Sequence, residues 1–486
     1  MDPVTLVAAL VYAGLFWAIC AKHPGIALAL IFAAAPFQQD LSAGTGGVRF
    51  SLAEINLVLS VPLLGFLILK GERRLRTWPL FWPCVAFSLA CVASSLVQWR
   101  AGSAPTAYVQ QFLFFFVVVP LFALLPRRAE ELKIALWSLL LVGTFLAVAA
   151  LLLRSHDPNE PGVLGLNKNG LGGSLSCALI VALELWFHER ERARVEPGPN
   201  RNQWFAAAAL VAIALGLLMT LSRGGWLAAA GGIIFLSAMR RQFVLLGRMA
   251  LVMIPCLAIG WNLLPQSQRD YATSFSTERG NIKQRLINRD NTLAQWRTNP
   301  LFGAGMGLRK DIDATNFVLI ALAETGIVGL VAFLALFGAF YAMIWRNQAR
   351  FSRADYGYSL FAIGGALMLS RLLHGMVDHY WARGPTMMAW AAAGMATGAL
   401  WFEARSPVAA RMRRAKALVA LHLIETRRRR RTGDTPRPLS PAELAAAQDA
   451  LDGVRRSRGP NPTTPRRNEN RDPLGELAEE LRRAAR

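Results

Sequence analysis

Charge is scarce in this sequence. Asp, Glu, Lys and Arg make up 17% of its 486 residues, where a soluble chain carries about 25%. Acidic residues are scarcest: 31 Asp and Glu stand against 53 Lys and Arg, for a formal net charge of +22. Cysteine is rare too. The five, Cys20, Cys84, Cys91, Cys177 and Cys256, all lie in apolar runs, and no two make a CxxC pair. An odd number in apolar surroundings argues against a disulfide framework, and the missing CxxC against a cysteine-held metal. Basic residues are also missing ahead of the first apolar run, which follows Met1-Asp2-Pro3 directly. That segment therefore reads as a retained span, not a cleaved signal peptide.

What the chain has instead is apolar length. Hydrophobic residues reach 54%, and a membrane span needs ~20 mainly apolar residues at 1.5 Å rise each. Candidate spans are 4–21, 25–40, 52–70, 78–98, 107–125, 133–153, 169–187, 204–221, 224–239, 243–263, 316–345, 357–376 and 385–402. The second is short and holds Pro36, so it reads either as a span or as a re-entrant segment, and the count is twelve or thirteen. The expected fold is all-α: a polytopic integral membrane protein over 1–403, then a basic tail over 404–486.

The cations are placed with regularity. From residue 71 onward every second loop is basic, carrying in turn Arg73, Arg74 and Arg76; Arg127, Arg128 and Lys133; Arg190, Arg192, Arg194 and Arg201; Arg240 and Arg241; and Arg346, Arg350 and Arg353. Residues 405–486 add 20 Lys and Arg against 10 Asp and Glu, close to half the net charge. Positive loops lie inside, so these loops and the tail are expected in the cytoplasm. That pattern makes nucleic-acid binding a poor reading of the charge. The alternate loops then face outward, and 264–315 is the only long one. Within it, 281–297 has the spacing of an amphipathic helix lying at the membrane surface. The tail reads as a solvated, largely disordered segment with short amphipathic helices after Ser440 and over 474–484. A sharper reading docks it on anionic headgroups.

Several polar groups on the outward side need a reason. Arg223, in Ser222-Arg223-Gly224-Gly225, is the lone charge of a tight outward turn and runs against the topology trend. It either snorkels to headgroups or faces a cavity that binds an anion. Asn167-Lys168-Asn169-Gly170 opens a span; asparagine caps helices, and a helix N-terminus also suits an anion. Arg371, His374 and Asp378 recur at i, i+3 and i+7 and share one helix face. Three ionisable groups at a span end are costly unless they face a cavity or one another, so they are either a site or a structural tie. Glu324 lies two turns into a span, able to pair with one of these arginines, whereas Glu184 near a cytoplasmic end reads as a partner of loop arginines.

Taken in order, these motifs resemble a family. Asn299-Pro300-Leu301-Phe302-Gly303-Ala304-Gly305-Met306-Gly307, then Asn316, then Glu324-Thr325-Gly326-Ile327-Val328-Gly329-Leu330, look like the signature region of the O-antigen ligase/polymerase superfamily. Arg285 ahead of Pro300, the Ser222-Arg223-Gly224 turn and Asn167-Lys168-Asn169 agree with it. The resemblance runs from about 160 to 400. It implies a glycosyltransferase of the bacterial inner membrane, acting at the periplasmic face without metal or other cofactor. Its donor would be glycan on undecaprenyl pyrophosphate and its acceptor a hydroxyl of a lipid or glycan. Arg223 and Arg285 would clamp the pyrophosphate, with Arg371, Asn316, Glu324 and Asn169 as further substrate-binding candidates. Ligases of the family place a histidine before the asparagine that follows the long loop; here Thr315 precedes Asn316. Threonine is no base at neutral pH, so three readings follow. The base lies elsewhere, in His374, His379, Asp378 or Asp313; or the acceptor attacks without strong base assistance, pyrophosphate being a good leaving group; or this member binds without transferring. The first is favoured. The departure also favours a polymerase or exopolysaccharide-type transferase over a lipid A-core ligase. Membrane lipids, and other polysaccharide-assembly proteins through the tail, are the expected partners. Two rival readings stay open: a transporter or flippase of lipid-linked glycan, and a non-catalytic scaffold of an envelope assembly complex.

Overall fold

The computed structural model describes residues 3–37, 51–73, 77–100, 103–153, 163–195, 200–273, 280–308, 312, 316–351, 353, 355–378 and 383–405. In chain order the helices are α1 (Pro3–Cys20), α2 (Pro24–Ala34), α3 (Leu52–Leu69), α4 (Phe81–Val97), α5 (Ala104–Phe112), a π-helical turn (Leu113–Val118), α6 (Val119–Leu124), α7 (Ala129–Leu153), α8 (Lys168–Val195), α9 (Arg201–Met219), α10 (Arg223–Arg240), α11 (Phe243–Asn262), α12 (Gln266–Thr273), α13 (Gly280–Thr298), α14 (Phe317–Asn347), α15 (Tyr356–Val377) and α16 (Arg383–Arg405). Among the described residues the only β-structure is one isolated bridge, Val163 to Leu166. The fold is all-α and polytopic. Eight helical segments are long and apolar enough to cross a membrane, and Leu6–Cys20, Pro24–Ala34 and Phe81–Val97 are shorter apolar helices. The two other candidate spans are α10 and α16, whose many Gly and Ala residues make them less hydrophobic.

The chain divides into two compact units, residues 1–399 and 400–486. Of the second, only the last turns of α16 fall within the described residues, and the expected tail helices lie outside them.

In the first unit, α8 forms the centre. It is buried over 94% of its apolar window, whereas α11 is buried over 6% and lies at the edge of the unit. Small residues let the central helices close. A Cβ on Gly172 of α8 would fall 2.8 Å from the Ser222 hydroxyl, and one on Gly225 of α10 would fall 2.9 Å from the Gly172 carbonyl carbon. Lipid tails offer helices no hydrophobic drive to associate, so such close packing carries the association.

Helix starts follow the local sequence. Ser51 and Glu54 form a reciprocal capping box at α3, and Asn200, Ser222 and Asn316 cap α9, α10 and α14 with their side chains. The π turn ahead of α6 precedes Pro120; the Val119 N–H bonds back to Phe114, five residues earlier. Proline removes an N–H and crowds the preceding turn, and the wider turn accommodates it.

Two of the cations counted above as loop charges are buried. Arg73 donates from Nε to the Leu124 carbonyl at 2.8 Å, capping the end of α6. Arg240 is fully buried against both Glu184 oxygens, Glu191, and the Ser359 hydroxyl at 3.0 Å. Glu184 thus pairs with an arginine at the end of its span, as its position suggested.

Candidate functional site

Four helix ends and one surface helix meet at one place: the N-termini of α8, α10 and α14, the C-terminus of α15, and α13. The start of α8 is set by Asn167, whose side chain accepts from the Gly170 N–H at 2.8 Å. Asn167 is therefore the cap, and Asn169, one residue into the helix, is turned inward. Its Nδ2 donates to Asp378 Oδ2 at 2.5 Å, and its Oδ1 accepts from the Ser222 hydroxyl at 3.2 Å.

Ser222 does two jobs. It caps α10 by accepting from the Gly225 N–H at 3.2 Å while donating to Asn169. The residue before it, Leu221, holds a left-handed backbone with φ of 55°. That conformation is unusual for a bulky residue and strained. Burial keeps it there: Leu221 packs with Leu264 and Ala272, against Met219, Trp226 and Trp261. Arg223 follows as the first residue of α10 and is half-buried.

Asp378 closes α15. Its N–H bonds to the His374 carbonyl at 2.9 Å, and its side chain is 7% exposed. Arg285 reaches it from α13, with Nη2 3.5 Å from Oδ2 and Nη1 donating to the Val377 carbonyl at 2.5 Å. Asn316 donates to the Met376 carbonyl at 3.1 Å while capping α14. The last carbonyls of a helix lack intrahelical partners; here side chains from α13 and α14 supply them.

His374 and Arg371 lie one and two turns deeper, both fully buried. Arg371 Nη1 is 2.7 Å from His374 Nδ1. Arginine has no acceptor, so the imidazole nitrogen accepts and its ring proton sits on Nε2. The ring is held between two glycines. A Cβ on Gly173 would lie 3.0 Å from Nδ1, and one on Gly224 would lie 3.0 Å from Nε2. Gly224 directly follows Arg223. The shared face of Arg371, His374 and Asp378 is thus an inward one, walled by α8 and α10.

Glu324 has a different setting. Its carboxylate accepts from the Gly307 N–H at 2.9 Å, and its carbonyl accepts from Gly305 at 3.1 Å and from the Ser94 hydroxyl. The Asn299–Leu308 segment wraps the point where α14 breaks at Gly326, which has φ of 65° and ψ of −167°. The amides of Ile327 and Val328 bond to Pro300 and Leu301. A Cβ on Gly326 would lie 2.5 Å from the Phe302 nitrogen, so this motif needs its glycine.

The sequence therefore names most of the cluster: Asn169, Arg285, Asn316, Arg371, His374 and Asp378 come together, with Arg223 alongside. His379, Asp313 and Thr315 lie outside the described residues. Ser222 as a bridge, and Gly173 and Gly224 as walls of the imidazole, carry no signal at the level of one residue type. Among the described residues no group of three or more His, Cys, Asp or Glu side chains gathers as metal ligands.

Residues 208–334 match the family model described as O-antigen ligase. The matched segment, about a quarter of the chain, is similar to an O-antigen ligase domain. It runs from α9 into α14 and contains Ser222, Arg223, Arg285, Asn316 and Glu324. Asn169, Arg371, His374 and Asp378 lie outside the matched segment and come together with its residues in the fold. The resemblance to the O-antigen ligase/polymerase superfamily read from the motifs is thereby shown, and with it a multi-pass membrane protein of glycan processing. Comparison with curated proteins gave no match.

Proposed function

We propose that the protein transfers glycan from undecaprenyl pyrophosphate to an acceptor hydroxyl on a lipid or glycan, at the periplasmic face of the bacterial inner membrane. The observation that carries this is the convergence of Arg285 and Asn169 on Asp378, one turn from His374 and beside Arg223. The alternation of basic loops supports the orientation, with the tail in the cytoplasm.

Arginine suits a pyrophosphate because its planar fork donates two parallel charge-assisted hydrogen bonds. Arg223 and Arg285 bind the donor and stabilise the charge that develops as it departs. When the pyrophosphate takes Arg285, Asp378 loses a cation and becomes a better proton acceptor. The acceptor oxygen attacks the anomeric carbon, its proton passes to Asp378, and the carbon–oxygen bond to the pyrophosphate breaks with inversion. His374, tied to Arg371 and walled by glycines, holds the floor under Asp378 and the Arg223 turn. Asn169 orients the carboxylate, and Asn316 fixes the end of α15.

Purified protein with lipid-linked donor and acceptor tests the reading. Arg223→Ala and Arg285→Ala, folded normally, should each lose transfer; full transfer by both would refute the clamp.

A further inference from the structure

At the opposite end of α14 from the Asn316 cap lies a second feature, unconnected with the site. A cleft of about 400 Å³ opens between α10 and α14, lined by Phe235, Tyr341, Ala342, Ile344, Trp345 and Arg346. It lies on the far side of the Gly326 break from Asn316, at the C-terminal end of α14. Its volume falls in the range of about 300–1,000 Å³ usual for small-ligand sites.

The walls are built, not accidental. The Phe235 and Tyr341 rings meet edge to face with centroids 5.8 Å apart. The Tyr341 hydroxyl donates to the Gly365 carbonyl of α15 at 3.3 Å. A Cβ on Gly365 would lie 2.6 Å from Phe235 Cζ, so that glycine lets the ring come against α15. One turn before Ala342, Gly338 faces open space. Gly338 and Ala342 thus leave one turn of α14 without bulk between the larger side chains of the cleft.

The chemistry is two-sided. Almost all of the lining surface is apolar, and one end carries exposed Arg346 beside Trp345, which is 73% exposed. Arg350 follows one turn on, and Arg241 ends α10; both are exposed. Trp beside Arg at a span end marks the membrane–water interface. A cleft at that depth is filled by whatever the bilayer supplies. Tails gain nothing by leaving other tails, so selection falls to the headgroup, and the cationic rim selects a negative one.

We propose that this cleft is a binding site for an anionic phospholipid, with an acyl chain between Phe235, Tyr341 and Ala342 and the phosphate on Arg346. The site is independent of the transfer reading and stands or falls by itself.

The test uses the full chain in nanodiscs of equal phosphatidylglycerol and phosphatidylethanolamine, each in turn carrying a photo-activatable acyl chain. The expected result is cross-linking of phosphatidylglycerol concentrated on 338–346 and around Phe235. Ala342→Phe, which fills the cleft, should abolish that concentration. Arg346→Gln should keep the acyl cross-link but lower the preference for phosphatidylglycerol by about fivefold, the weight of one interfacial cation. A pattern spread evenly onto exposed α11 positions such as Leu251 and Ile254, or unchanged in Ala342→Phe, would overturn the proposal. So would a cross-link to a second copy of the chain, and none to lipid, from a photo-reactive amino acid placed at position 345 in the same nanodiscs.

Discussion

Arg285 of α13 lies with its guanidinium 3.5 Å from the carboxylate of Asp378 at the end of α15. The same side chain caps the Val377 carbonyl. One arginine thus closes a helix, neutralises a buried acid, and stands half-exposed where a second anion can compete for it. That double engagement makes Arg285 the hinge of the mechanism. Arg285→Lys keeps the charge but loses the fork, and should lower kcat by roughly 10²-fold, the scale of removing one preorganised donor. Steady-state kinetics with the lipid-linked donor measures it.

Asp378→Asn preserves shape and removes the proton acceptor. Transfer should fall further than in Arg285→Lys, while donor binding survives or strengthens because Arg285 is released. Equilibrium binding of the donor to the variant checks the second half. Asn169→Asp sets a second carboxylate against Asp378, and like charges at that distance suppress ionisation of one of them. Its rate should rise with pH over a range in which the parent is flat.

Gly173→Ala and Gly224→Ala test the imidazole seat. Their Cβ atoms would lie 2.6 Å from Arg371 Nη1 and 2.7 Å from His374 Cδ2 respectively. Cδ2 belongs to a rigid ring, so Gly224→Ala must move the imidazole, whereas Gly173→Ala must move the Arg371 guanidinium that hydrogen-bonds it. Activity should drop more than stability, since alanine also favours the helix by about 1 kcal/mol over glycine. Parallel thermal melts and transfer assays separate the two effects.

Arg240 predicts the reverse. It is remote from the site, fully buried, and held by Glu184 and Glu191. Removing one partner strands a buried charge at a cost of about 3–5 kcal/mol, whereas replacing both with apolar residues is often neutral. Glu184→Leu should lower the melting temperature sharply, and Glu184→Leu with Arg240→Met should recover most of it. Melting in detergent reads both.

Much of this was legible in the sequence. Apolar runs gave the spans because a bilayer leaves few alternatives to a helix. The i, i+3, i+7 spacing put Arg371, His374 and Asp378 on one face, and the Asn167-Lys168-Asn169 opening read as a helix cap. Other features depend on which helices meet, and a single chain does not print that. Nothing in the sequence says that Asn169 reaches Asp378 across 209 positions, or that Gly173 and Gly224 flank His374. The charge pattern treated Arg73 and Arg240 as loop cations because composition cannot see burial. Glu324 was a candidate partner for the site arginines; its carboxylate meets the Gly307 amide, and that motif holds together a broken helix.

The central claim is that this chain performs covalent transfer through the Arg285–Asp378 pair. The most direct measurement is product formation by purified protein from a labelled lipid-linked donor and an acceptor, in detergent without any gradient. The account predicts labelled acceptor with the parent protein and none with folded Asp378→Asn. Transfer undiminished in that variant would contradict it.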